Sequence, residues 1–115
     1  MPSSLAAPRP GRAARGSRSG RPIMALLDLL GRRWALRILW ELRGEPLTFR
    51  ALRERCDALS PSVLNQRLRE LREAGIVETG QRSGYRLTEE GARLCNDLAP
   101  LHAWAERWGR RNGDS

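Results

Sequence analysis

The sequence contains few of the residues that build disulfide frameworks, metal sites or membrane spans. It has two cysteines, Cys56 and Cys95, and one histidine, His102, in 115 residues. Neither cysteine lies at metal-ligand spacing from another Cys or His, so no zinc site and no disulfide framework is predicted. The apolar run from Ile23 to Leu30 is interrupted by Asp28 and is too short to cross a bilayer. We therefore expect no metal, no cofactor and no membrane association, and by default a cytoplasmic location.

Lysine is absent as well, and every one of the 21 basic residues is arginine. Against 13 acidic residues this leaves a formal net charge of +8, which favours a polyanionic partner, most commonly a nucleic acid. The charge is uneven, because five arginines and no acidic residue lie in residues 1–22. The remaining 16 arginines are set against 13 acids, a net of +3, so the rest of the chain is only mildly basic.

Residues 1–22 consist almost entirely of Ala, Pro, Arg, Gly and Ser and show no periodicity. This composition predicts a disordered basic tail ahead of a single domain over residues 23–115. An Arg- and Ser-rich stretch without acids is also typical of an organelle transit peptide, and a translation start at Met24 is a third interpretation. N-terminal sequencing of the native protein distinguishes these three.

Helical periodicity and capping residues divide residues 23–115 into helices and one hairpin. Thr48 and Thr88 are typical N-caps, and Ser60 followed by Pro61 is a strong helix start. Pro100 removes one helical hydrogen bond and predicts a kink in the last helix. The predicted elements are, in chain order, helices over 23–30, 32–43, 49–56 and 61–74, strands over 76–79 and 85–87, and a helix from 89 to about 108, with a short extended link at 45–47.

This order of elements predicts a mainly α fold with a small β-hairpin wing, the winged helix-turn-helix. Two helices joined by a tight turn, here residues 57–59, and followed by a hairpin define that fold. The helix after the turn is the one expected in the major groove of DNA. Its Leu64, Leu68 and Leu71 share one face and are predicted to be buried.

The opposite face of that helix carries side chains that can read base edges. Asn and Gln can form two hydrogen bonds with adenine, and Arg can do so with guanine. Taken alone such a face is more often plain surface, but the order of elements favours a reading face. The predicted base contacts are Ser62, Asn65, Gln66 and Arg69. The predicted phosphate contacts are Thr48, Arg50, Ser60 and Arg67, and Arg82 at the wing tip is expected in the flanking minor groove.

The apolar pattern of the last helix predicts a second surface, for dimerisation. A single reading helix contacts too few base pairs for useful specificity, whereas a two-fold dimer doubles the contacts. Apolar residues recur at spacings of four and three along the last helix, as in a helix seam. The predicted interface residues are Met24 and Leu27 of the first helix with Leu94, Leu98, Leu101, Ala105 and Trp108 of the last. The alternative is that both helices fold back on their own domain.

Six stretches of the chain together carry a family resemblance. They are LDLLGRRW (27–34), ILWEL (38–42), FRAL (49–52), SPSVLNQRLREL (60–71), AGIVE (74–78) and YRLTEEG (85–91). With these stretches in this order, residues 22 to about 108 resemble the HxlR-type transcriptional regulators, relatives of the MarR-type winged helices.

The resemblance implies a cytoplasmic homodimer that binds inverted-repeat double-stranded DNA through its winged helix and dimerises through its terminal helices. Members of the family usually repress and sometimes activate nearby genes. Many carry a sensing cysteine just before the proline that matches Pro22, whereas this chain has Arg21 there. We therefore expect no response to electrophiles or oxidants, and induction by protein level or by a small molecule of unknown identity. The hairpin loop is also shorter than the family's usual wing.

Two other classes of function would require residue patterns that differ from those in this sequence. A winged-helix protein-interaction module without a DNA role is the alternative, and it predicts an acidic or apolar face in place of Gln66 and Arg69. An enzyme is not expected, because the sequence has no nucleophile–base pair and no phosphate-binding glycine loop, and no catalytic residue is predicted. His102 is expected to lie on the packing face of the last helix. Trp104 and Trp108 are expected in the core or interface, or else beside a ligand pocket.

Overall fold

The computed structural model describes residues 21–80 and 84–112. Most of the predicted basic tail (1–22) and the predicted wing-tip residue Arg82 lie outside these ranges. No helix of the described residues is both long enough and apolar enough to span a bilayer. The elements of the described residues are, in chain order, α1 (Pro22–Leu30), α2 (Ala35–Leu42), β1 (Leu47–Thr48), α3 (Phe49–Arg55), α4 (Pro61–Glu73), β2 (Val77–Thr79), β3 (Gly84–Leu87) and α5 (Glu89–Arg111).

The three predicted N-caps are confirmed. The hydroxyl oxygen of Thr48 accepts from the amide of Ala51 (3.1 Å), and that of Ser60 accepts from the amide of Val63 (3.3 Å). Thr88 does the same at the start of α5. Each cap satisfies a first-turn N–H that has no partner inside the helix. The starts of α3, α4 and α5 are therefore set by local sequence.

The predicted start of the second helix at Arg32 is wrong, because α2 begins only at Ala35. Trp34 has a φ of +77°, in the left-handed region that a large side chain rarely occupies, and this interrupts the helix. The side chain of Arg32 is bonded to Glu70, and the carbonyl of Arg33 accepts from Arg67. Residues 31–34 are thus held by contacts with α4, which override the local helical pattern.

The wing is a three-stranded antiparallel sheet in the order β1-β3-β2. Strands β2 and β3 form the predicted hairpin, with Val77 opposite Leu87. The predicted extended link at 45–47 ends in β1, whose Leu47 lies opposite Tyr85 on the other edge of β3. This pairing joins the start of α3 to the wing.

The turn between α3 and α4 requires two residues in the left-handed region. Asp57 and Ala58 have φ of +60° and +58°, a conformation that costs about 1–2 kcal/mol for an L-residue. The amide of Ala58 donates to the carbonyl of Arg53 (3.0 Å), and Arg53 Nε donates to the carbonyl of Leu59 (2.6 Å). These bonds fix the angle at which α4 leaves α3.

The hydrophobic core lies under α4. The predicted burial of Leu64, Leu68 and Leu71 is confirmed, and these leucines pack with Ile38 of α2 and Leu52 of α3. Because α4 is anchored by its whole apolar face, its opposite face is presented to solvent in a fixed orientation.

Helix α5 continues through Pro100 to Arg111, beyond the predicted end near residue 108. Its first turns pack tightly against the domain. A β-carbon at Gly91 would lie 2.1 Å from the carbonyl oxygen of Ile76, so only glycine fits there. The hydroxyl of Thr88 also donates to the carbonyl of Gly75 (2.6 Å). The first turn of α5 is therefore packed against, and hydrogen-bonded to, the segment that joins α4 to β2.

Candidate nucleic-acid interface

The exposed face of α4 carries the predicted base-contacting residues. Ser62, Asn65 and Arg69 are exposed, and Gln66 is half-buried. Within the described part of the chain, Asn65 and Arg69 make no side-chain hydrogen bond or ion pair, whereas the Ser62 hydroxyl lies 3.2 Å from that of Ser60. The amide of Asn65 and the guanidinium of Arg69 are thus free to bond an external partner.

A buried ionic cluster lies on the flank of α4. We define the Glu70 cluster as Asp28, Arg32, Gln66, Arg67 and Glu70. Glu70 is 2% exposed, and its carboxylate lies at the centre of the cluster. It accepts from Arg32 Nη1 (2.9 Å), from Arg67 Nη1 (2.9 Å) and, over a longer distance, from Gln66 Nε2 (3.4 Å). Arg32 is also paired with Asp28 of α1 at 3.3 Å. The cluster ties α1 and residues 31–34 to α4.

The Glu70 cluster changes the interpretation of two predicted contacts. Arg67, predicted to hold phosphate, donates through Nε to the carbonyl of Arg33 (2.8 Å) and through Nη1 to Glu70. Its side chain is only 18% exposed, so the structure places it as a tie within the domain. The bond from Gln66 to Glu70 is longer than is usual for an N–H···O hydrogen bond, so Gln66 can exchange it for a base.

The Glu70 cluster was not predicted from the sequence. The spacing of Arg67 and Glu70, three residues apart on a helix, is a local signal for an ion pair. The decisive partner, Arg32, is distant in sequence, and nothing in the local pattern places it beside Glu70.

Several other arginines also hold the domain together. Arg37 donates to Glu41 and to the carbonyl of Arg55 (2.6 Å), and Arg55 pairs with Glu45. The side chain of Arg50, in contrast, is 91% exposed and has only a distant ion-pair partner at 3.8 Å. Arg50 is therefore available for a phosphate in a way that Arg37 and Arg55 are not.

The two predicted hydroxyl contacts, Thr48 and Ser60, are exposed at the starts of α3 and α4. Each oxygen accepts a capping bond from the backbone. Among the described residues the Thr48 hydroxyl makes no other bond, whereas the Ser60 hydroxyl is also paired with that of Ser62, where either oxygen can be the donor. A hydroxyl used in this way can bond a phosphate oxygen without loss of the cap. In the wing, Arg86 is paired with Glu78 at 2.8 Å, and the predicted contact Arg82 lies outside the described residues.

A second surface of the molecule exposes large apolar side chains. On α5, Leu94 and Leu98 of the predicted seam are partly buried and pack against the domain's own core. Leu101, Ala105 and Trp108 continue the same stripe beyond that core and are exposed. Further exposed apolar residues are Ile23, Met24 and Leu27 of α1 and Trp104 of α5, whose ring stacks on that of Trp108. The apolar stripe of α5 therefore has two parts. Leu94 and Leu98 are covered by the domain's own core, whereas Leu101, Ala105 and Trp108 form an uncovered half.

Both cysteines are buried, free thiols. Burial raises the pKa of the Cys56 thiol, against a smaller lowering effect of Arg37. Burial likewise raises the pKa of the Cys95 thiol, against a smaller effect of Arg43. Among the described residues no group of His, Cys, Asp and Glu is arranged to hold a metal ion.

The fold and the exposed face of α4 define a class of protein. The chain has two helices joined by a tight turn, a polar face on the second helix and an antiparallel wing. These features define a winged helix-turn-helix protein. Residues 29–113 match the family model of the HxlR-like helix-turn-helix. The chain belongs to this family, and the expected family resemblance is confirmed.

Two relatives from Bacillus subtilis (strain 168) support the assignment. The uncharacterized HTH-type transcriptional regulator YvaP is 33% identical over 88 residues, which cover 71% of this chain and 82% of YvaP. The HTH-type transcriptional regulator YodB is 34% identical over 87 residues, which cover 70% of this chain and 78% of YodB. The crystal structure of quinone-bound YodB superposes with a TM-score of 0.68 at 33% identity and covers 74% of this chain and 94% of that one. The chain is thus a transcriptional regulator of the HxlR family.

Proposed function

We propose that this regulator binds double-stranded DNA sequence-specifically by inserting α4 into the major groove. The observation that carries the proposal is the exposed polar face of α4, on which Asn65 and Arg69 have no partner in the described part of the chain. Asn65 and Gln66 suit adenine and Arg69 suits guanine, with Ser62 as a weaker contact. The rigid attachment of α4 supports this role, because a reading helix must hold its side chains in register with the bases.

Phosphate contacts position the protein on the duplex. Thr48, Arg50 and Ser60 serve as these contacts, supported by their exposure at two helix starts, where backbone dipoles also favour phosphate. Arg82 remains the proposed minor-groove contact of the wing. Arg67 is reassigned from phosphate binding to the support of α4, since its guanidinium is occupied within the domain.

In this proposal the protein binds an inverted-repeat operator as a homodimer. The uncovered half of the α5 stripe and the exposed face of α1 support it, because Leu27, Leu101, Trp104 and Trp108 are each more than half exposed as the chain stands alone. A second copy that covers these residues removes apolar surface from water. Two α4 helices related by a two-fold axis then read half-sites about one helical turn apart.

The remaining parts of the proposal follow from the family. The protein acts in the cytoplasm and blocks transcription where its operator overlaps a promoter, without an enzymatic step. YodB has been crystallised with a quinone bound. For this chain we propose a different trigger, because Arg21 takes the place expected for a sensing thiol and both cysteines are buried.

The test is selection of bound sequences from a random duplex pool, followed by titration of the enriched duplex and of random DNA at several salt concentrations. The expected result is an inverted repeat bound at least about a thousandfold more tightly than random DNA. A protein-interaction module would give no enrichment, and a non-specific DNA binder would give equal affinities with a steep salt dependence. Either result contradicts the proposal.

A further inference from the structure

Helix α5 leaves the rest of the domain after its first turns. Gly91 and Cys95 are buried, whereas every residue from Ala99 to Trp108 is exposed. A cavity of about 430 Å³ opens where the helix departs, between α5 on one side and Trp40 of α2 with the end of β3 on the other. The tryptophans considered for a ligand pocket in the sequence, Trp104 and Trp108, do not line it. The packing of the first turns therefore does not by itself fix the direction of residues 99–111, which we call the distal half of α5.

A ring contact bridges the gap between α2 and the distal half. The imidazole of His102 stacks on the ring of Trp40, with centroids 4.5 Å apart and an angle of 25° between the planes. His102 follows Cys95 by seven residues and so lies on the face of α5 that packs against the domain, as expected from the sequence. Its pair with Glu106 at 3.9 Å stays within the helix. Among the hydrogen bonds, ion pairs and ring contacts of residues 21–80 and 84–112, the Trp40–His102 stack is the one that joins the distal half to another element.

The ring of Trp40 is held in place on its other side. The guanidinium carbon of Arg43 lies 4.0 Å from the centre of this ring. Arg43 and His102 are both too close to the ring to share one face, so Trp40 lies between them. Because Trp40 is also half-buried in the domain, His102 stacks on a surface of fixed orientation.

Pro100 makes the start of the distal half the weakest point of α5. Proline has no N–H, so the helical bond to the carbonyl of Asn96 is missing, and helices bend most easily at such positions. From Pro100 to Arg111 the helix runs about 16 Å, and a tilt of about 12° moves its end by about 3.4 Å, the length of one base-pair step. A contact that fixes this tilt therefore matters at the scale of the operator.

We propose that the Trp40–His102 stack sets the direction of the distal half and thereby the spacing of the half-sites that a dimer can bind. The inference rests on the proposed function, in which the distal half dimerises and α4 reads DNA. Leu101 and Trp108 of the proposed interface lie on the distal half, whereas Trp40 belongs to α2, whose Ile38 packs with the leucines of α4. His102 is thus a positioning residue, which acts on DNA recognition through the angle between the reading unit and the dimer interface.

The stack itself is tested by NMR without DNA. His102 is the only histidine of the chain, so its ring-proton signals are unambiguous in untagged protein. They should be shifted upfield from those of the urea-unfolded protein by the ring current of Trp40. In Trp40→Leu, with a native circular dichroism spectrum, they should move back toward the unfolded positions. Unshifted signals in the folded wild-type protein would overturn the inference.

The effect on DNA is tested with two selected half-sites whose spacer is varied one base pair at a time. Wild-type protein should favour one spacer over its neighbours by at least about tenfold, and in His102→Ala this preference should fall below about threefold. The base preferences within each half-site should not change, because α4 is untouched. His102→Phe keeps a ring on Trp40 and should restore the spacing preference.

The matched control is Arg107→Ala. Arg107 is an exposed residue of the distal half, and its described bond, at 3.5 Å, goes to the backbone carbonyl of Ala103 in the same helix. This variant should keep the spacing preference of the wild type. Light scattering on each variant should show a dimer, and a monomeric His102→Ala protein would place His102 in the interface and overturn the positioning role.

A His102→Ala protein with the wild-type preference, or a wild-type protein indifferent to spacing, would also overturn that role. If wild-type protein binds no DNA at all, the proposed function fails and the role in spacing fails with it. An upfield His102 signal in that case would show that the stack holds the distal half for another purpose.

Discussion

At the scale of single residues, the orientation of α4 depends on the carboxylate of Glu70. It bonds Arg32 and Arg67 at 2.9 Å each while nearly excluded from water. We predict that Glu70→Ala lowers the free energy of unfolding by about 2–4 kcal/mol. Removal of one partner from a buried ionic cluster leaves uncompensated charge, and the residual exposure of both arginines places the cost toward the lower part of the usual range.

The control for Glu70→Ala is Glu78→Ala. Glu78 pairs with Arg86 at 2.8 Å, but both side chains are about half exposed. Its removal should cost less than about 1 kcal/mol. Urea denaturation of both variants at one fixed protein concentration checks this, and equal losses would show that burial of the Glu70 cluster contributes nothing.

The two thiols give a second prediction at this scale. Because burial raises the pKa of Cys56 and Cys95, both should remain protonated at neutral pH and react slowly with electrophiles. Native protein treated with diamide or a quinone should keep its operator affinity, and mass spectrometry should show unmodified chains. Release from DNA that disappears in Cys56→Ser or Cys95→Ser would contradict the assignment.

At the scale of elements, local sequence predicted the helices whose starts carry a cap. Thr48, Ser60 and Thr88 each accept the expected backbone bond. The start of α2 could not be predicted in this way, since the left-handed Trp34 lies in a turn held by side chains of α4. The pairing of β1 with β3 likewise depends on the whole sheet, because a two-residue strand has no pattern of its own.

The attachment of α5 gives a prediction for Gly91. A β-carbon there would lie 2.1 Å from the carbonyl oxygen of Ile76, which belongs to the backbone and cannot swing away. Gly91→Ala should therefore lower the free energy of unfolding by about 2–3 kcal/mol, at the upper end of ordinary overpacking costs. Thermal and urea denaturation measure the loss.

The matched control is Gly44→Ala. Nothing lies within 4 Å of a β-carbon at Gly44, and its backbone is not left-handed. The substitution should be neutral or stabilising by up to about 1 kcal/mol. If both alanine variants are equally stable, the tight contact between α5 and the segment after α4 is absent in solution.

At the scale of the whole molecule, the exposed half of the α5 stripe predicts the assembly. Leu101→Asp places a charge in the centre of the proposed dimer interface and should yield monomers with a native circular dichroism spectrum and weak operator binding. Ala103→Asp makes the same change on the opposite, also exposed, side of the helix and should leave the dimer intact. Light scattering at micromolar concentration measures the oligomeric state of the wild-type protein and of both variants. A wild-type monomer, or a dimeric Leu101→Asp protein, would contradict the interface.

The exposed face of α4 could be predicted from the sequence more completely than the contacts inside the domain. The exposed positions of Ser62, Asn65 and Arg69 follow from the helical pattern of α4, because its three leucines define the opposite face. The engagement of Arg67 and the division of the α5 seam at Leu98 could not be predicted, since both depend on which distant element lies alongside.

The claim that α4 reads DNA is tested most directly by comparing the sequences selected by wild-type protein, by Arg69→Ala and by Arg50→Ala. We predict that Arg69→Ala loses the preference at one base position of each half-site, a discrimination of about 1–3 kcal/mol. Arg50→Ala should keep every preference, weaken all duplexes alike and lower the salt slope by about one. Equal loss on specific and random DNA for Arg69→Ala, with an unchanged set of preferred bases, would show that Arg69 does not read a base.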